Sequence, residues 1–226
     1  MAEGSPTSWF SPDTLEGVRA AGNVVALRAV EAADGGRVEE AKGLFEVAVA
    51  GSADMRVVYA AFQFRFRMGE YDAAEGLVKR RLELAAPGSA DEARAWNNYG
   101  LIWFFRGELV RAEECLRRAL EMDRALGNEE GVARDLGNLS LVPEARGELD
   151  EAERLNLEAL AVAERVGYRA VVASRLCNLG EIALARGEKQ KARELIGRAE
   201  AAFGELGDEK NRAKCGELMR AMHSNG

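Results

Sequence analysis

Histidine is nearly missing from this chain: His223, close to the C-terminus, is the single one. That rules out a histidine-based catalytic triad and a multi-histidine metal site. Cysteine is almost as scarce. Cys115, Cys177 and Cys215 are odd in number and lie 62 and 38 residues apart, the spacing of neither a disulfide framework nor a metal site. They read as free thiols of a reducing compartment. Long apolar runs are also lacking: Val57 to Phe62 and Leu101 to Phe105 are far too short to span a bilayer, so no membrane association is expected. A basic excess is absent too. With 31 Lys and Arg against 38 Asp and Glu, the net charge of -7 argues against nucleic acid as a partner. The basic clusters Lys79-Arg80-Arg81 and Arg117-Arg118 sit among acidic residues and read as solvated helix faces. HExxH, GxSxG and GxxxxGK[ST] do not occur, and no metal, cofactor or enzymatic activity is expected. The N-terminal Met-Ala-Glu-Gly-Ser-Pro has no charged segment followed by an apolar one, so a signal peptide is not read and a cytoplasmic location is expected.

What is present is a repeat. The segments GEYDAAE from Gly69, GELVRAEE from Gly107, GELDEAER from Gly147 and GEKQKARE from Gly187 follow one another at 38, 40 and 40 residues. Ala74, Ala112, Ala152 and Ala192 keep the same step, and a second alanine follows at Ala119, Ala159 and Ala199. Asn98-Tyr99-Gly100, Asn138-Leu139-Ser140 and Asn178-Leu179-Gly180 recur with a period of 40. An earlier copy starts at Gly36. Within each unit, apolar residues recur at three- and four-residue spacing, which predicts two amphipathic helices joined at the glycine. Sustained alternation of the strand type is not seen, so no sheet is expected.

These positions resemble the tetratricopeptide repeat (TPR) family, whose pattern is W-x2-L-G-x2-Y followed by A-x3-F-x2-A. Trp96-x2-Tyr99-Gly100-x2-Trp103 and then Ala112-x3-Leu116-x2-Ala119 match it almost throughout. Leu136, Leu139, Ser140, Ala152 and Ala159 continue it, as do Leu176, Leu179, Gly180, Ala183, Ala192, Ile196 and Ala199. The two earlier units are weaker, one carrying Ala74 with Val78 and the other Ala41-x3-Phe45-x2-Ala48. The period exceeds the usual ~34 residues and is similar to that of Pins-type scaffolds, kinesin light chains and Rap-type regulators.

The resemblance implies an all-α fold, a right-handed α-solenoid of about five helix pairs closed by a capping helix. The units expected are 12–53, 54–88, 89–128, 129–168 and 169–207, the cap 208–223, with residues 1–11 a flexible tail. Trp9 and Phe10 are placed to staple the first helix or seal the open end of the array. Pro143 falls inside the first helix of the fourth unit, where it removes a backbone hydrogen bond.

In such arrays the first helix of each unit lines the concave surface, which implies groove positions. They are Arg56, Tyr59 and Phe66 in the second unit, Arg94, Asn97, Asn98, Leu101, Phe104 and Phe105 in the third, Arg134 and Asn138 in the fourth, and Asn178 in the fifth. Asn98, Asn138 and Asn178 form a row of amides able to pair with a ligand backbone or to bridge neighbouring helices. Tyr59, Phe66, Leu101, Phe104 and Phe105, flanked by Arg56, Arg67 and Arg94, form an apolar and basic patch of the kind found at interface hot spots. The expectation is a scaffold or adaptor binding a peptide segment with apolar and acidic side chains. A regulatory sensor reshaped by a small peptide or metabolite, or a self-assembling homo-oligomer, is the alternative.

Overall fold

A computed structural model of the chain describes residues 9–224, and among them it is helical throughout. The helices are α1 (Pro12–Ala21), α2 (Val24–Asp34), α3 (Val38–Ala50), α4 (Met55–Arg67), α5 (Tyr71–Leu84), α6 (Ala90–Phe105), α7 (Leu109–Ala125), α8 (Glu129–Leu139), α9 (Leu141–Ala145), α10 (Leu149–Val166), α11 (Arg169–Ala185), α12 (Lys189–Glu205) and α13 (Glu209–Ser224). Five antiparallel pairs stack in sequence: α2 on α3, α4 on α5, α6 on α7, α8 and α9 on α10, and α11 on α12, with α13 closing the last. The stacked pairs bury four apolar clusters along the array, because no single pair can cover its own apolar face.

Each pair turns on a glycine in the left-handed region, with φ of 74° at Gly69, 81° at Gly107, 77° at Gly147 and 76° at Gly187. The chain then doubles back, and the backbone N–H of Glu108 donates to Trp103 O at 2.9 Å to finish α6. A second class of glycine serves close packing. A Cβ added at Gly100 would lie 2.5 Å from Leu116 Cγ, and one at Gly180 2.5 Å from Ile196 Cγ1. The paired helices therefore approach closely enough to bury Leu116 and Ile196 fully, each contributing roughly 2–3 kcal/mol.

The first unit departs from the expected pair. Residues 12–53 form three helices, because Gly22 (φ 64°) ends α1 and the Asn23 side chain accepts from Ala26 N–H to start α2. α1 packs on α4, with Gly17 against the Arg56 side chain, and so lies on the first-helix side of the array. Of the tail expected over residues 1–11, residues 1–8 lie outside the described residues. Trp9 and Phe10 are packed: their rings meet Phe64 and Phe45 at 5.3 and 5.9 Å, and Trp9 N–H donates to Asp34 Oδ1 at 2.8 Å. They seal the N-terminal end of the core.

Pro143 divides the first helix of the fourth unit. α8 stops at Leu139 and α9 restarts at Leu141, so the missing N–H of Pro143 falls in a new first turn, where it costs little. At the junction Ser140 Oγ donates to Gly137 O at 2.8 Å.

Neighbouring units are also tied by a charged series with the period of the repeat. Arg106 pairs with Glu75 and Asp72, Arg146 with Glu113, and Arg186 with Glu153 and Asp150. At the other end, Cys177 on α11 and Cys215 on α13 are buried with their sulfurs 3.8 Å apart.

Candidate functional site

The first helices α4, α6, α8 and α11 carry every residue expected in the groove, and they treat those residues differently. Asn97 is buried, not presented: its Nδ2 donates to Asp135 Oδ1 at 2.7 Å, and its Oδ1 accepts from Asn138 Nδ2 at 3.0 Å. Asn97 and Asn138 thus bridge α6 and α8. Asn98 is 7% exposed, with Nδ2 unpartnered, and Asn178 is half-buried.

Arg134 is committed as well. Its Nη2 lies 2.8 Å from both Asp123 and Asp135, two fully buried carboxylates, while Asn128 Nδ2 donates to Asp123 Oδ1 at 2.8 Å. One guanidinium shared by two carboxylates leaves an excess of negative charge in a dry place. Burial, aided by repulsion from Asp123, pushes the Asp135 carboxyl up to about 7 despite the attraction of Arg134. A Cβ at Gly131 would lie 2.0 Å from Asp123 Oδ2, so only glycine leaves room for this carboxylate. Asp123, Asp135 and Asn128 were not among the residues expected from the sequence.

Arg56 forks onto Asp54 through Nε at 3.0 Å and Nη2 at 2.6 Å, beneath α1. Arg94 is exposed, and among the described residues it has no hydrogen-bond or ion-pair partner. Leu101 is half-buried.

The aromatic positions form one connected network of rings, which passes through the buried Phe62. Tyr59 stacks on Phe62 at 6.0 Å, Phe62 on Phe66 at 5.5 Å, and Phe66 meets Phe105 edge-on at 5.3 Å. Phe105 also stacks on Tyr71 at 6.0 Å and meets Phe104 at 5.3 Å. Phe105 is 52% exposed, unusual for so large an apolar ring. Phe104 is half-buried and, with Leu141, Glu144 and Ala145, lines a hollow between α6 and α9. Phe105 is thus the exposed ring of this group, while Tyr59, Phe66 and Phe104 are half-buried, and Tyr59 and Phe66 pack against the apolar cluster of α4, α5 and α6.

Arg81 contradicts the expectation of a solvated basic face. It is 3% exposed, its guanidinium lies 4.8 Å from the centre of the Tyr59 ring, and burial pushes its pKa down. Burial pushes the phenol of the half-buried Tyr168, at the start of α11, up from its ordinary value.

Among the described residues no cluster of His, Cys, Asp and Glu is arranged to hold a metal ion, and no helix is long and apolar enough to cross a membrane.

No curated protein matches the chain. Solved structures do. A Rap protein complexed with competence and sporulation factor superposes with a TM-score of 0.71 at 14% identity, over 88% of this chain and 64% of that one. Aspartyl phosphate phosphatase F from Bacillus subtilis gives 0.69 at 13% identity, over 90% of this chain and 56% of that one. The chain thus spans less than two thirds of either protein. A putative kinesin light chain repeat protein of Podosopora anserina gives 0.61 at 16% identity, over 88% of this chain and all of that one. At these identities the likeness is one of fold. The tetratricopeptide repeat profile matches residues 91–165 and 132–205, together just over half of the 226 residues. With the glycine turns, the alanine-lined helix pairs and the stacked array in place, the chain belongs to the tetratricopeptide repeat family, a family of protein-interaction scaffolds.

Proposed function

We propose that the chain is a non-catalytic, cytoplasmic scaffold or adaptor that holds an extended or helical segment of a partner protein against its first helices. The observation that supports this reading is the half-exposed Phe105, held by edge-on contacts to the half-buried Phe66 and Phe104. Rigid aromatic rings offer a large contact area at little entropic cost, and they dominate the energetics of protein interfaces. Arg94 adds an unpaired cation nearby, so the segment expected has large apolar side chains and an acidic residue. The asparagine row contributes less than its spacing implies, because Asn138 donates to Asn97 of the neighbouring helix.

A peptide library displayed on phage and selected on the immobilised protein tests this without knowledge of the natural partner. Enriched peptides should carry aromatic or leucine side chains. Their affinity should fall at least tenfold for Phe66→Ala/Phe105→Ala, and not for Leu157→Ala at an exposed site on α10. Recovery of no peptides, or of peptides indifferent to Phe66 and Phe105, would refute the reading.

A second reading, a regulatory sensor whose solenoid is reshaped by a small peptide, is favoured by the superposition on the Rap protein solved with competence and sporulation factor. A change in the X-ray scattering profile on adding a selected peptide distinguishes it from a static scaffold.

A further inference from the structure

The junction between the first two helix pairs is open. α3 packs less extensively on α4 than α5 does on α6, α7 on α8 or α10 on α11. A cavity of about 410 Å³ lies there, between α3, α4 and α5. Its floor is apolar: Phe45 and Ala61 are buried, and Val49 and Leu77 are half-buried. Ala50, Ala73 and Gly76 also line it and are exposed, so the cavity is reached directly from solvent. In the register of the repeat, Ala73 and Gly76 stand where the later units carry Arg111 and Glu114, Glu151 and Arg154, and Lys191 and Glu194. Where three units place long charged side chains, this one places a methyl group and a hydrogen.

Arg80, in the same lining, departs from its counterparts as well. Arg118 in the third unit reaches Glu92 at 3.5 Å and lies over the Trp96 ring, and Arg198 in the fifth reaches Glu164 at 4.0 Å. Among the described residues Arg80 has no carboxylate partner. Its Nη2 donates to Ser52 O at 3.4 Å, and its Nε is buried without an acceptor. Arg65, the other cation of the lining, is satisfied by Glu46 at 2.6 Å and Glu70 at 2.5 Å. One positive charge at the cavity is therefore unmatched.

The volume falls in the range of small-molecule sites, roughly 300–1,000 Å³. An alkyl or aryl body placed there takes apolar surface out of water on both sides. A guanidinium with unmade hydrogen bonds selects a carboxylate, whose two oxygens match its planar fork. We propose that this cavity is a binding site for a small carboxylic acid with an apolar body, the body held between α3 and α5 and the carboxylate on Arg80. The site shares no residue with the peptide surface above and does not depend on it.

The test uses octanoate below its micellar concentration, with octanamide, which keeps the body and lacks the charge, and acetate, which keeps the charge and lacks the body. Binding is followed in 13C–1H methyl spectra, where Val49 and Leu77 report on the cavity and Leu157 on an exposed site of α10. Octanoate should shift the Val49 and Leu77 peaks saturably and leave Leu157 in place. Affinity should be at least tenfold lower for octanamide, for acetate and for octanoate with Arg80→Gln. Gly76→Leu adds a side chain where nothing lies within 4 Å, so it should fold, obstruct the mouth and weaken octanoate at least tenfold. Gly43→Leu, at an equally open glycine of α3 outside the lining, should leave binding unchanged. The proposal is overturned by static Val49 and Leu77 peaks, by octanamide binding as well as octanoate, or by undiminished binding to Arg80→Gln or Gly76→Leu. A loss with Gly43→Leu equal to that with Gly76→Leu would also overturn it.

Discussion

Replacing Asp135 with asparagine is expected to stabilise the fold at pH 8 and to leave it nearly unchanged at pH 4. Asp135 is fully buried, and burial is the main cause of the rise of its carboxyl from 3.8 to about 7. Because the folded value lies above the unfolded one, the folded state keeps a proton that the unfolded chain has already released. The contribution of this group to stability is therefore greatest below pH 4 and declines as the pH rises towards 7. A gap of about three pH units, at about 1.4 kcal/mol each, makes the full decline about 4 kcal/mol. Asparagine has the same outline and does not titrate. Its Oδ1 still accepts from Asn97 and Arg134, and its Nδ2 replaces the unpartnered Asp135 Oδ2. The attraction of Arg134 is already contained in the raised carboxyl value, so the asparagine variant, matched to the protonated acid at pH 4, should be more stable than the wild type by up to about 4 kcal/mol at pH 8. Urea unfolding followed by far-UV circular dichroism at pH 4, 6 and 8, compared between variant and wild type, isolates the term, since every other titrating group is shared. A difference that is the same at pH 4 and pH 8, or an asparagine variant weaker at pH 8 than at pH 4, would refute the account of the Asp123–Arg134–Asp135 cluster.

Two further outcomes follow from packing and burial. Gly180→Ala drives a methyl to within 2.5 Å of Ile196 Cγ1, and should cost about 1–3 kcal/mol despite its gain in helix propensity. Gly197→Ala, on the neighbouring helix with open space around it, should gain up to about 1 kcal/mol; equal urea midpoints for the two variants would contradict this. Burial raises the thiols of Cys115 and Cys177 to about 11 and about 12, and that of Cys215 upward as well. Iodoacetamide at pH 8 should accordingly label the native protein far more slowly than the urea-unfolded chain, and mass spectrometry showing equal rates would refute it.

The periodic glycines and alanines made the stacked pairs legible, because each marks a local requirement: a left-handed turn at Gly107, a close approach at Gly100. The break between α1 and α2 was written in Gly22-Asn23, a helix stop followed by a helix start, and the weak repeat signal in that unit concealed it. That Tyr59 and Phe66 share one face of α4 could be read from their seven-residue spacing, and both rings meet Phe62 there. The polar interior could not. Asn97 meets Asp135 across 38 positions, and a single sequence does not say whether an amide on a first helix faces a ligand or the next helix. Arg81 lay between these cases. Its side chain resembles the exposed basic residues beside it, and only its register against Ala119, Ala159 and Ala199 marks it as buried.

The charged series of Arg106, Arg146 and Arg186 has a mechanical consequence. Each arginine grips the preceding unit at an equivalent place, so bending at three successive junctions is resisted by the same restraint. A pair of this exposure is worth only about 0.2–1 kcal/mol, and salt weakens it. A rise in ionic strength therefore weakens the same restraint at all three of these junctions together.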